Sequence, residues 1–144
     1  MKNGPIIIIE DDADDKKLLE DVLRELKIHN SITWFDNCHR ALQYLRETPV
    51  QPFIIFSDVY MPGFTGIELK RQIDADPELR KKSIPFVFLT TTITQETVDE
   101  AYSDMTVQGF FAKEYSYEKL KETLKIIVDY WSVCQHPNLF SSKP

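Results

Sequence analysis

Cysteine is scarce in this 144-residue chain. Cys38 and Cys134 form no Cys-x-x-Cys motif and no cluster with histidine, which excludes a disulfide framework and a zinc site and suits a reducing compartment. Basic charge is short as well: 17 Lys and Arg stand against 23 Asp and Glu, a formal net charge of -6. A nucleic-acid surface needs clustered cations to meet phosphates, so no nucleic-acid partner is expected. No apolar run approaches the length of a membrane span, and no signal-peptide pattern precedes the first acids. The expected setting is the cytoplasm, with no membrane partner. What remains is an ordinary globular balance, 42% hydrophobic and 28% charged, at a length that fits one compact domain. No internal repeat is visible.

Apolar runs and helical patterns alternate five times. The runs are Ile6–Ile9, Ile32–Phe35, Phe53–Phe56, Phe86–Leu89 and Val107–Ala112. They are short, rich in β-branched and aromatic residues, and continuous rather than alternating, which predicts strands covered on both faces. Between them run stripes with three-to-four spacing. The first is Leu18, Leu19, Val22, Leu23 and Leu26, and the second Cys38, Ala41, Leu42 and Leu45. Ile67, Leu69 and Ile73 make a weaker third, and Val98, Ala101, Tyr102 and Met105 the fourth. Leu120, Leu124, Ile127, Trp131 and Cys134 make the last. Thr65-x-x-Glu68 is a capping box for the third helix, Asp36 or Asn37 can cap the second, and Thr94 the fourth. Pro52 and Pro85 stand at or just before strand starts, where a missing N–H does least harm. The pattern predicts one α/β domain over residues 1–134, closing with the fifth helix, and a polar tail at 135–144 that frays.

In an open parallel sheet, ligands bind beyond the carboxyl ends of the strands. There the chain places Glu10, Asp11 and Asp12 after strand one and Asp58 after strand three. Thr90, Thr91 and Thr92 follow strand four, and Lys113 follows strand five. Mg2+ takes oxygen ligands and is commonly held by one or two carboxylates with water and phosphate oxygens. Asp11 and Asp58 can supply the carboxylates, with Glu10 acting directly or through water. Lys113 and the Thr90 hydroxyl can meet phosphoryl oxygens, and a carboxylate in such a place can take a phosphoryl group as an acyl phosphate.

The strings IIIIEDD, FIIFSDVYMPGFTGIEL, PFVFLTTT and GFFAK, in that order, resemble the receiver domain of two-component response regulators, the CheY-like family, over the chain up to about residue 134. The resemblance implies a flavodoxin-like (βα)5 doubly wound fold, a five-stranded parallel sheet in the order 2-1-3-4-5. It implies Asp58 as phosphoacceptor, Glu10 and Asp11 as the metal-binding acids, and the Tyr60 carbonyl as a further ligand to Mg2+ or Mn2+. Thr90 becomes the switch hydroxyl, Lys113 the phosphate-binding lysine and Phe110 the aromatic that turns inward with Thr90. The implied partner is a sensor histidine kinase. The implied output is a changed surface on the fourth helix, fifth strand and fifth helix, where a homodimer or a downstream protein would bind. Self-phosphorylation and autodephosphorylation are then the only chemistry, and the protein is not an enzyme in the ordinary sense. Length suggests a stand-alone regulator, and DYWSVCQHPN near the end is similar to small regulators that pair with phytochrome-type kinases.

Two departures stand out. Glu114 follows Lys113 where the family has proline, which predicts a trans bond there, because a non-proline cis bond costs roughly 3–4 kcal/mol. Thr91 is bulkier than the usual Ala or Ser. The last helix also carries a second apolar row, Ile126, Tyr130 and Val133. Two other readings use similar parts. A haloacid-dehalogenase-like phosphohydrolase needs Asp-x-Asp, and Asp58-Val59-Tyr60 lacks its second acid. A pseudo-receiver that binds partners without phosphorylation would not need the full set of site residues. Of the opening acids, Asp12, Asp14 and Asp15 read as solvated charge favoured at a helix start.

Overall fold

A computed structural model describes residues 3–135 except Thr92 and Tyr115; the expected tail beyond Gln135 lies outside the described residues. Five parallel strands form one sheet in the order β2-β1-β3-β4-β5. They are β1 (Ile6–Ile9), β2 (Ile32–Phe35), β3 (Ile54–Ser57), β4 (Phe86–Thr90) and β5 (Gly109–Ala112). The helices are α1 (Ala13–Glu25), α2 (Cys38–Glu47), α3 (Gly66–Ala75), α4 (Pro77–Lys82), α5 (Gln95–Asp104) and α6 (Tyr117–Val133).

The four isoleucines of β1 show why a continuous apolar run was needed. Side chains alternate between the faces of a strand. Ile7 and Ile9 join the core under α2 and α3 with Leu42, Leu45, Ile67 and Leu69. Ile6 and Ile8 join the opposite core with Val22 and Leu23 of α1 and Leu120 and Leu124 of α6. All four are at most 1% exposed, and each contributes roughly 2 kcal/mol by leaving water. Burial on both faces weakens outward. Edge strand β2 is half-exposed, and β5 is fully buried only at Gly109.

The caps follow the expected chemistry. The Thr65 hydroxyl accepts the Glu68 N–H, and the Glu68 carboxylate reaches back to the Thr65 N–H. Asn37 and Thr94 cap α2 and α5. One helix was not foreseen. Asp76 ends α3 and at once caps α4 by accepting the N–H groups of Glu78 and Leu79, with Pro77 at the first helical position. The helices expected as fourth and fifth are therefore α5 and α6.

Smaller differences have local causes. β5 starts at Gly109 rather than Val107, where the Gln108 side-chain oxygen accepts the Phe86 N–H. Tyr102, expected in the buried stripe of α5, is 54% exposed, and Ala101 is that helix's only fully buried residue. Among the described residues, no helix is long and apolar enough to cross a membrane.

Candidate functional site

Strand register decides what meets at the carboxyl edge. Ile9 pairs with Ser57, so Glu10 and Asp58 leave β1 and β3 side by side. Thr90 pairs with Ala112, so Lys113 leaves β5 beside the end of β4. The Asp58 N–H donates to the Ile9 carbonyl at 3.0 Å, and the Lys113 N–H to the Thr90 carbonyl at 2.8 Å. Those two bonds extend the ladder by one residue and fix Asp58 and Lys113 from the backbone.

Glu10, Asp11 and Asp58 each bring a carboxylate oxygen to a point where all three lie within 4.8 Å of one another. Glu10 is buried, Asp58 half-buried and Asp11 exposed. Close carboxylates repel, and the set is all hard oxygen, the donor type that Mg2+ and Mn2+ take. The residues fit such a cation.

Lys113 supplies charge of the other sign. Its Nζ lies 2.6 Å from Glu10, 3.2 Å from Asp15 and 3.3 Å from Asp58, and its side chain is 3% exposed. Glu114 is not among its carboxylate partners in the described residues, and the Lys113–Glu114 bond is trans. Burial pushes the Glu10 carboxyl up to about 7, against the pull of Lys113 and helped by Asp58. Burial alone would lower Lys113, but the hydrogen bond to Glu10 and the charges of Asp58, Glu10 and Asp15 hold it above its ordinary value. Burial drives the first shift, and the acids around the ammonium drive the second.

Thr90 adds an unfinished valence. It is 1% exposed, and its hydroxyl is the one buried side-chain polar atom, among the described residues, without a hydrogen-bond partner. A buried unpaired hydroxyl costs about 1–3 kcal/mol, which an oxygen-rich ligand would recover. Phe110 packs on Phe88, ring centroids 5.6 Å apart, and is half-buried. Tyr60 donates its N–H to the Asp58 carboxylate at 3.3 Å, while its hydroxyl bonds Thr97 in α5 at 2.9 Å. Thr91 is exposed. Thr92 lies outside the described residues.

Several residues at the site escaped the sequence reading. Asp12 caps α1, accepting the N–H groups of Asp14 and Asp15, as solvated helix-start charge does. Asp15 instead turns its carboxylate onto Lys113. No local signal separates it from Asp14; only the fold brings it near residue 113. Gly66 is required sterically, since a Cβ there would lie 2.1 Å from the Asp58 carbonyl oxygen. Trp34 donates its indole N–H to the Glu10 carbonyl at 2.7 Å, bracing the acid pair from β2.

A protein-family model described as the response regulator receiver domain matches residues 6–125. The chain belongs to that family. This receiver is 30% identical to chemotaxis protein CheY-3 of Vibrio cholerae, over 89% of this chain and 94% of that one. Among solved structures it resembles the phosphorylated cyanobacterial phytochrome response regulator RcpA, with 25% identity and a TM-score of 0.82 over 92% of this chain and 97% of that one. The manganese-bound form of response regulator Rcp1 shares the fold, with 24% identity and a TM-score of 0.80 over 92% and 98%. The receiver is thus a response regulator of phosphorelay signalling, and the phosphohydrolase alternative is not favoured. Its Glu10, Asp11 and Asp58 cluster is compatible with a divalent metal.

Proposed function

We propose that Asp58 accepts a phosphoryl group from a sensor histidine kinase. The observation that carries this reading is the setting of Asp58, half-buried between the acids Glu10 and Asp11 on one side and the Lys113 ammonium 3.3 Å away on the other. An Asp58 carboxylate oxygen attacks phosphorus, a P–O bond forms and the P–N bond to the kinase histidine breaks. The imidazole nitrogen leaves with the electron pair and takes a proton from solvent. Lys113 meets one transferred oxygen, and Thr90 donates its unpaired hydroxyl to another. Glu10, Asp11, Asp58 and the Tyr60 carbonyl would hold Mg2+ or Mn2+, which when bound neutralises charge on the acids and phosphoryl oxygens.

Incubation with acetyl phosphate and Mg2+ then gives one phosphoryl adduct by intact mass. The adduct is absent in Asp58→Asn and suppressed by EDTA. Wild-type protein that takes no adduct from acetyl phosphate, phosphoramidate or a kinase would overturn the reading.

Residues 1–134 act as one receiver unit in the cytoplasm, with self-phosphorylation and autodephosphorylation as its own chemistry. Thr90 and Phe110 pass the state of Asp58 to the face of α5, β5 and α6. On α6, Ile126, Tyr130 and Val133 are 66%, 61% and 80% exposed, an apolar row that suits a homodimer or a downstream protein. The likeness to RcpA supports a phytochrome-type kinase as donor.

A further inference from the structure

Lys113 has three carboxylate partners among the described residues, and they are not equivalent. Glu10 and Asp58 belong to the cation cluster, and Asp58 is also the proposed acceptor. Asp15 belongs to neither role. It rises from the first turn of α1, where Asp12 accepts its N–H at 3.1 Å and so fixes its backbone. From there its carboxylate reaches Nζ of Lys113 at 3.2 Å, spanning 98 residues of sequence. Its side chain is 36% exposed while that of Lys113 is 3% exposed, so the contact closes the solvent side of a buried ammonium.

We infer that Asp15 is the positioning residue for Lys113, an inference that rests on the phosphoacceptor reading of Asp58. A lysine ammonium has three N–H donors and no fixed fork to orient them, so its direction is set by its acceptors. In the structure those donors go to Glu10, Asp15 and Asp58. When a cation engages Glu10 and Asp58, and Asp58 carries a phosphoryl group as an acyl phosphate, two of the three acceptors are committed elsewhere. Asp15 then holds the ammonium at the site, with a donor left for the phosphoryl oxygen. Without Asp15 the buried ammonium has, among the described residues, only Glu10 and Asp58 to lean on, and it competes with the cation for both.

A double-mutant cycle tests this, with acetyl phosphate as donor and Mg2+ as cation. Asp15→Ala slows Asp58 phosphorylation at saturating acetyl phosphate by about tenfold, the scale of one partly exposed charge-assisted hydrogen bond, and leaves the half-saturating concentration unchanged. Asp15→Asn, which keeps an acceptor oxygen, recovers part of the loss. In a Lys113→Ala background, Asp15→Ala has no further effect, because its influence passes through the lysine.

Mg2+ titration followed by Trp34 fluorescence, in a Trp131→Phe background, gives an independent readout, since Trp34 is bonded to the Glu10 carbonyl. Asp15→Ala weakens Mg2+ by about threefold, far less than Asp11→Ala does, and this loss also disappears with Lys113→Ala. A wild-type rate or affinity in Asp15→Ala would sink the inference, as would an Asp15→Ala effect of equal size with and without Lys113. Wild-type protein that takes no phosphoryl group overturns the Asp58 reading instead, and the Mg2+ cycle then decides the positioning of Lys113 by itself.

Discussion

Two buried lysines lie at opposite ends of the same sheet, and the fold neutralises them differently. Lys70, at the amino end, has one carboxylate partner among the described residues: Asp74 at 2.8 Å, one helical turn away in α3. The Thr106 hydroxyl lies 3.1 Å from it and the Phe86 ring 5.4 Å away. Asp74 accepts in turn from the Thr106 N–H and hydroxyl. One acid meets one ammonium, with Arg80 near enough to oppose the lysine's charge, and the group ties α3 to the segment before β5. Lys113, at the carboxyl end, faces three carboxylates brought from β1, α1 and β3, with an unpaired hydroxyl close by in sequence register. The first arrangement is closed. The second holds more acid than base, an excess that a divalent cation would offset.

The titration directions separate the two ends. Burial lowers Lys70 more than Asp74 restores it. Burial resists ionisation of Asp74, but Lys70 and Thr106 together hold its carboxyl below the ordinary value. At the other end, Glu10 and Lys113 are both pushed up.

The largest break of this contrast is Lys70→Ala. It strands Asp74 beside apolar neighbours and costs about 3 kcal/mol of stability, the low end for a broken buried pair because Thr106 still serves the acid. Urea unfolding measures it, and Mg2+ does not restore the loss. Lys113→Ala should cost less, about 2 kcal/mol without metal, because Glu10 can take up a proton, and Mg2+ recovers most of it. The same variant slows Asp58 phosphorylation by about a hundredfold, whereas Lys70→Met leaves the rate unchanged.

Asp58→Asn acts in the opposite sense and raises the melting point of the metal-free protein by a few degrees, about 1 kcal/mol, since it removes one acid from the excess. An unchanged or lower melting point would contradict the charge imbalance.

The smallest effects are in pH. Asp74 has a depressed folded pKa, so its contribution is present above pH 4 and is lost as pH falls through the folded value. Glu10 has a raised one, so its contribution is present below about 4.5 and is lost as pH rises through about 7. In EDTA, Glu10→Gln should flatten the stability profile between pH 5 and 8, and Asp74→Asn the profile below pH 4, each by about 1 kcal/mol in urea melts. A wild-type slope retained in either variant would assign that window to other groups.

Much of this is legible in the residues, wherever the signal is local. Ile6–Ile9 showed a two-faced strand because an unbroken β-branched run has no solvent side. Thr65-x-x-Glu68 showed its helix start because both halves of the cap lie within four residues. Asp76-Pro77-Glu78 carries an equally local signal for α4, a cap followed by a first-turn proline. Tyr102 was misplaced because periodicity names a helix face but not how much of that face a narrow contact will cover.

The sequence by itself determined the strand ends to within one residue (β3 runs on to Ser57 and β4 takes in Thr90), and so delivered Glu10, Asp11, Asp58, Thr90 and Lys113 to one edge of a parallel sheet. Backbone periodicity and a fixed crossover hand leave few other places for them. Only the tertiary structure decided how charge is shared there. Asp14 and Asp15 are indistinguishable as helix-start acids, and Lys70 and Lys113 as lysines. Their partners lie up to 103 residues away, and electrostatic roles depend on distance through space rather than along the chain.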